Sequence, residues 1–218
     1  LHRTSRRQRQ MCIRDRPESL TYGIFVNSSG DRFVNEDSYG ARIGYFCSQQ
    51  DKQQAYLLIQ NEDFSPSLYI DKLPVIAVAE TFEELEKEAG FKPNTLSATA
   101  KKYNSYANAG FDEAFRKDPQ WLKEISNPPY ALIDYSFDAQ RSPLYSQETG
   151  PLMFTLGGLE TLKTGEVLDK NGRIISKLFA AGRTTAGLPR TGKGYSSGMS
   201  VGDATFFGRM AGKSASRK

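Results

Sequence analysis

The chain has 218 residues, 38% of them hydrophobic and 25% charged, which is ordinary for a globular protein and long enough for one large domain or two small ones. Two cysteines, Cys12 and Cys47, and a single histidine, His2, exclude a disulfide scaffold and argue against a His/Cys metal site. No stretch approaches the run of about 18 apolar residues that spans a bilayer, so no membrane span and a cytoplasmic location are expected, with any chemistry resting on Tyr, Ser, Asp, Glu, Arg, Lys or a cofactor.

Residues 1–16 (LHRTSRRQRQMCIRDR) hold six arginines and one aspartate, and the net charge of +4 less this segment's +5 leaves −1 for residues 17–218. Three readings of the segment are open. An arginine-rich arm binds phosphate backbones, an Arg-rich and acid-poor N-terminus is the pattern of a transit peptide, and RRQRQMCIRD resembles translated sequencing-adapter DNA. The abrupt change of texture at Pro17 favours the last, so residues 1–16 are read as non-native. No nucleic-acid partner is expected, because nothing beyond Pro17 interleaves basic residues with aromatics.

From Pro17 onward the first predicted element is a short buried strand, Tyr22–Asn27, turning through Ser28-Ser29-Gly30-Asp31 and returning over Arg32-Phe33-Val34, with glycine where a positive φ is wanted. Residues 37–50 read as a helix and Tyr56–Gln60 as a second apolar strand. Thr81-Phe-Glu-Glu84 is a capping box opening a helix that ends at Gly90. A further helix begins near Asn94-Thr95, with Leu96, Ala100, Tyr103 and Ala107 on one face and Gly110 closing it. Residues 111–128, punctuated by Pro119 and Pro128-Pro129, read as a loop, and Tyr130–Tyr135 as a strand. Phe154–Leu159 leads into a hairpin with arms Glu166–Asp169 and Ile174-Ile175 and its turn at Lys170-Asn-Gly172. Leu178–Ala181 is predicted to be a buried strand. Residues 199–212 form the last helix, ended by Gly212. Strands and helices are mixed without a complete βαβ series, and the fold class is α+β.

Two stretches carry residues suited to chemistry. Ala180 to Ser200 (AAGRTTAGLPRTGKGYSSGMS) places a glycine-rich loop between a strand and a helix start, where free amides and the positive end of a dipole suit an anion or an electron-rich carbonyl; a plain turn is the alternative. Gly30 to Gly40 (GDRFVNEDSYG) is either a pocket wall or a surface hairpin with a satisfied Arg32–Glu36 pair. No G-x-G-x-x-G follows a strand, and no Walker-type loop occurs, so the chain does not supply a primary dinucleotide fold of its own.

Three blocks in this order, GDRFVNED-SYG (30–40), TLGGLETLKTGEVLDKNGRII (155–175) and LFAAGRTTAG with GYSSGMSVGDATFFGRMAG (178–212), resemble FAD-dependent oxidoreductases of the fumarate reductase and 3-ketosteroid dehydrogenase superfamily. Residues 80–115 look like that family's capping-domain helices and NPPYALID (127–134) like its strand returning toward the flavin domain. Tyr-Ser-Ser-Gly-Met-Ser, with arginine after Ala-Ala-Gly, looks closest to the 3-keto-5α-steroid 4-dehydrogenase branch. The resemblance implies a capping (substrate) domain over residues 17–145 and, over 146–218, the C-terminal return segment of a Rossmann-like FAD-binding domain. It implies FAD as cofactor and a ketosteroid or similar apolar ketone as small-molecule partner.

Residue by residue, the resemblance places the amides of Ser200 and Val201 at the flavin C2 carbonyl and N1. It sets Gly157 and Gly158 beside the isoalloxazine and brings the backbone of Gly182 close to the cofactor. Arg183 stands where relatives often carry a glutamate that holds ribityl or ribose hydroxyls, which puts its own cofactor contact in doubt. Tyr39 and Tyr195 match the two phenols that polarise the substrate ketone, and Ser197 matches the hydroxyl that relays the departing proton. Fumarate reductases carry a proton-donating arginine a few residues after the Arg-Phe-x-Asn-Glu element, whereas this chain has Ser38-Tyr39-Gly40-Ala41 there, with no arginine before Arg42 and none of those enzymes' histidines. The expected activity is removal of hydrogen from a carbon–carbon bond next to a ketone, with fumarate or enone reduction as the alternative. A polypeptide limited to these residues is expected to bind FAD weakly and to be catalytically silent.

Overall fold

The computed structural model describes residues 9–12, 18–64, 73–140, 152–188 and 191–217. Residues 1–8 and 13–16 of the arginine-rich segment, the expected boundary at 145/146 and Pro189-Arg190 of the glycine-rich loop lie outside the described residues. The chain divides into two compact units, one of Cys12–Leu152 and one of Leu1–Met11 with Met153–Lys218. The first strand, β1 (Arg9–Cys12), pairs with β6 (Leu152–Thr155) in a two-stranded sheet.

The Cys12–Leu152 unit is built on an antiparallel sheet in the order β2-β3-β5-β4, made of β2 (Ile24–Asn27), β3 (Ala55–Gln60), β4 (Val75–Ala79) and β5 (Tyr130–Asp134). Successive side chains of a strand point to opposite faces, and both faces are covered. Phe25, Leu57, Ile59 and Ile133 pack on one side with Ile43 and Cys47 of helix α1 (Gly40–Ser48). Ile24, Val26, Leu58 and Leu132 pack on the other with Leu85 of α2 (Phe82–Ala89) and Leu96, Ala100 and Tyr103 of α3 (Leu96–Ala109). Burial on both sides explains why these strands read as continuous apolar runs rather than as alternating ones. Each fully buried leucine or isoleucine stabilises the unit by about 1.5–3 kcal/mol. The short helix α4 (Phe137–Gln140) follows β5.

The Thr81 hydroxyl accepts from the Glu84 amide at 3.1 Å to start α2, and Gly90 (φ 75°) and Gly110 (φ 70°) end α2 and α3 in the left-handed conformation. Three sequence expectations change here. The turn at Gly30 (φ 80°) forms, but its returning arm makes only the single bridge Val26–Arg32, because the chain turns inward at Arg32 to bury the charged groups described below. Strand β4, with no counterpart among the predicted elements, lines the sheet's edge with Val75 and Val78 exposed. The loop over residues 111–128 contains a 3-10 turn, Pro119–Trp121, and buries Asp112, Lys117 and Ile125.

In the unit of Met153–Lys218, β7 (Glu166–Leu168) and β8 (Ile174–Phe179) form an antiparallel hairpin. The strand expected at Leu178–Ala181 is the end of β8 and is not buried: Ile174 is 50% and Leu178 42% exposed. A two-stranded ribbon has no third layer to cover it among the described residues. The final helix α5 (Met199–Ala215) runs through Gly212 rather than stopping there and is capped by Ser216. A glycine inside a helix costs roughly 1 kcal/mol relative to alanine, but does not end it unless the backbone turns left-handed. No helix among the described residues is long and apolar enough to cross a membrane.

Candidate functional site

The glycine-rich loop packs against α5 through contacts that demand small residues. Gly182 (φ 70°) starts a 3-10 turn, Gly182–Thr184, and a β-carbon on it would lie 3.1 Å from the Ala204 β-carbon of α5. Gly187 lies against the Asp203 carboxylate, and the Leu188 amide donates to Asp203 Oδ1 at 3.0 Å. The sequence reading gave Asp203 no role. It is 1% exposed, and among the described residues its Oδ2 has no hydrogen-bond partner. The loop thus rides on the first turns of α5 and fixes where the helix begins.

Residues 157–159 lie alongside 184–186. Leu159 N donates to the Thr184 carbonyl at 2.8 Å and Ala186 N to the Leu159 carbonyl at 2.9 Å. A β-carbon on Gly158 would stand 2.6 Å from Thr184 O and 2.7 Å from Thr185 O. Gly158→Ala is therefore expected to destabilise this unit by about 1–3 kcal/mol, since backbone and not a movable side chain is in the way. Urea unfolding of the variant measures it.

Helix α5 starts after Gly198 (φ 81°), with no side chain capping it. Ser200 and Val201 occupy positions whose amides have no partner within a helix, and Val201 is 68% exposed. Tyr195 is 8% exposed, and its hydroxyl lies 2.9 Å from Ser200 Oγ. Ser197 is exposed, Gly157 half-buried and Gly158 exposed, and Arg183 lies half-buried on the 3-10 turn. The structure thus brings Gly158, Gly182, Tyr195, Ser200 and Val201 onto one loop-and-helix assembly. Amides in the first turn of a helix carry partial positive charge.

Tyr39 belongs to the other unit. It is the residue before α1, 41% exposed, at the end of a segment held by buried charge. Arg32 and Glu36 do pair (Nη2–Oε2 2.6 Å and Nε–Oε1 2.9 Å), but not at the surface, because Glu36 is fully buried. Glu36 Oε1 also accepts from the Phe25 amide, at 3.1 Å, and its Oε2 lies 3.4 Å from Lys117 Nζ. Lys117 Nζ donates to Gly23 O at 2.9 Å and to the Tyr103 hydroxyl at 3.0 Å, while Arg32 Nη2 reaches Asp112 Oδ2 at 2.8 Å. The guanidinium sits 5.0 Å from the Tyr103 ring centroid and 4.9 Å from that of Phe115. Burial works to raise the Glu36 carboxyl, but the charge of Lys117 and the hydrogen bond from Arg32 outweigh it and hold the group below the ordinary carboxylate range. Asp112 is held low in the same way, its burial outweighed by Arg32. Lys117 and Asp112 escaped the sequence reading; the one local signal was Asp112 itself, whose side chain accepts the amides of Ala114, Phe115 and Lys117.

A glycine-lined loop packed against an uncapped helix start is a local arrangement whose free amides suit an electron-rich group. The model of the FAD binding domain family matches residues 6–198. The chain belongs to that family, whose cofactor is FAD. In three dimensions it is similar to the 3-ketosteroid-delta4-(5alpha)-dehydrogenase of Rhodococcus jostii RHA1, in complex with 4-androstene-3,17-dione, at 35% identity and a TM-score of 0.77 over 96% of this chain and 42% of that one. Among curated proteins, a probable fumarate reductase of Shewanella frigidimarina is 28% identical over 200 residues, 89% of this chain and 31% of that protein. The 3-oxosteroid 1-dehydrogenase of Mycobacterium tuberculosis is 29% identical over 216 residues, 86% and 37% respectively. The chain thus spans about a third of the length of these curated relatives.

The residues present suit one end of that cofactor. The Ser200 and Val201 amides and the glycine at 158 fit the electron-rich edge of a flavin ring, whereas no glycine-rich strand-to-helix turn of the dinucleotide type is present for the pyrophosphate. The positive φ and close helix contact of Gly182 supply a packing reason for glycine there, independent of any cofactor.

Proposed function

We propose that this chain forms part of a flavin-dependent oxidoreductase that removes hydrogen from a carbon–carbon bond next to the ketone of a 3-ketosteroid-like substrate. In this reading the Cys12–Leu152 unit is the capping, substrate-side domain, and Met153–Lys218 is the C-terminal part of the FAD-binding domain. The observation that carries the reading is the Tyr195 phenol, buried beside an open helix start and hydrogen-bonded to Ser200. The 35% identity to a ketosteroid dehydrogenase supports the substrate class.

The chain's own groups would act as follows. The Tyr195 phenol donates to the ketone oxygen, stabilising the negative charge that develops there and so acidifying the neighbouring C–H; Tyr39, on the other unit, is offered as a second such donor by the resemblance alone. Ser197, exposed to solvent, accepts the departing proton and passes it outward. The amides of Ser200 and Val201 hold the flavin ring by its C2 carbonyl edge. When bound, FAD supplies the hydride acceptor.

The 28% identity to a fumarate reductase favours a second reading, reduction of an activated double bond at the same site. Against it stands the segment after Arg32–Glu36, where Ser38-Tyr39-Gly40-Ala41 supply no arginine before Arg42. The test is the flavin absorption band at about 450 nm in the whole FAD-loaded flavoprotein that carries this chain, mixed anaerobically with a 3-keto-5α-steroid. Bleaching is expected on mixing. A flavin band that ignores the steroid but, once reduced, is reoxidised by fumarate or an enone overturns the first reading in favour of the second.

A further inference from the structure

Ser200 has a second group besides its amide. Its Oγ lies 2.9 Å from the Tyr195 hydroxyl, five residues back, across the turn that opens α5. Gly198, left-handed at φ 81° with no side-chain cap, allows this. A helix-start serine whose hydroxyl capped its own helix would be occupied by a backbone amide, whereas this one faces a phenol that is 8% exposed.

A phenol bonded to a second hydroxyl differs from one bonded only to substrate. When the serine donates to the phenolic oxygen, the phenol's own proton points away from the serine, and the two O–H dipoles polarise each other along the chain of hydrogen bonds. The phenol then donates more strongly as negative charge grows on the acceptor. The serine stands on the first turn of α5, whose positive end reinforces the same polarity. It also holds the tyrosine side chain in one rotamer, so little reorganisation is needed at the moment of reaction.

The geometry points to Ser200 Oγ as a positioning residue that orients the Tyr195 phenol and strengthens it as a donor to the substrate ketone, a role separate from that of the Ser200 amide. The inference rests on the proposed role of Tyr195. Ser200→Ala keeps the amide and removes the hydroxyl, and Ser200→Thr restores it.

In the 218-residue chain without cofactor, NMR of protein labelled at the tyrosine ζ-carbon is expected to show the Tyr195 resonance, assigned by its loss in Tyr195→Phe, displaced in Ser200→Ala and returned toward its original position in Ser200→Thr. An unmoved resonance overturns the inference. In the whole FAD-loaded flavoprotein that carries this chain, Ser200→Ala is expected to lower kcat on a 3-keto steroid about three- to tenfold, the span of one neutral hydrogen bond, with KM little changed and with Ser200→Thr recovering the rate. Adding Ser200→Ala to Tyr195→Phe is expected to cost nothing more, because the serine acts through the phenol. A Tyr195→Phe variant that turns over normally removes the proposed role of Tyr195, and the inference with it. An impaired Tyr195→Phe alongside a Ser200→Ala that is silent, or that adds its full effect to the double variant, overturns the inference alone.

Discussion

Replacing Glu36 with glutamine is expected to destabilise the Cys12–Leu152 unit by about 3–5 kcal/mol, the cost of breaking a buried ion pair from one side. Glu36 is fully buried and receives Arg32, Lys117 and the Phe25 amide. A neutral amide in its place removes the negative charge that faces Arg32 and Lys117, and its NH2 group points a donor at donors. Urea denaturation followed by circular dichroism reads the loss as a lowered midpoint. A midpoint unchanged within about 0.5 kcal/mol would mean that the cluster contributes nothing net, as happens for many exposed pairs. The segment carrying Glu36 leads straight into Tyr39, so under the proposed mechanism loosening it is expected to displace that phenol.

The same cluster sets a pH dependence. Burial pushes the Glu36 carboxyl up, and the Lys117 charge and Arg32 hydrogen bond more than reverse this, so its folded pKa lies below its unfolded one. A group depressed on folding contributes stability that is present above its unfolded value, about 4.3 for glutamate, and is lost as pH falls through the folded value. Asp112, depressed by Arg32 against its own burial, acts in the same direction. The unit is therefore expected to lose stability on acidification below about pH 4. The loss should be shallower in Glu36→Gln, because that variant has already lost one of the two groups.

The second large effect is expected at Tyr195. Under the proposed mechanism, Tyr195→Phe in the whole flavoprotein removes a donor to the developing oxyanion and lowers kcat about 10²–10³-fold, as loss of an oxyanion-hole donor does. Substrate KM should move little, because the ground-state ketone is a weaker acceptor than the charged oxygen. Single-turnover bleaching of the flavin by steroid measures the chemical step apart from product release. A loss confined to KM would assign Tyr195 to substrate binding alone.

Much of the architecture was legible along the chain because it rests on local rules. The apolar runs at 24–27, 55–60 and 130–134, the Thr81 cap and the left-handed glycines at 30, 90 and 110 all follow from side-chain periodicity or φ preference, and each lies within a residue or two of its expected place. The pairing of Arg32 with Glu36 was legible for the same reason, since four residues separate them. So were the glycine-rich loop and helix start at 180–200, where composition alone marks free amides.

What tertiary structure decided is what depends on distant partners. That Glu36 is buried, and not a surface residue, follows from Lys117 and Asp112, which come from a segment that reads as polar loop; Lys117 bonds to a carbonyl 94 residues away. No periodicity announces such a contact. Strand β4 exists because β5 offers it an edge, and β8 is exposed because the described residues put no layer over it. The Tyr195–Ser200 bond needed the left-handed turn at Gly198, a conformation glycine permits but does not compel. Local preference along the chain determined the elements and the residue types offered for chemistry. Whether a charge is buried, a strand covered or a hydroxyl partnered was settled only by which distant atoms exclude water around it, because desolvation is a property of the packed neighbourhood and not of the residue.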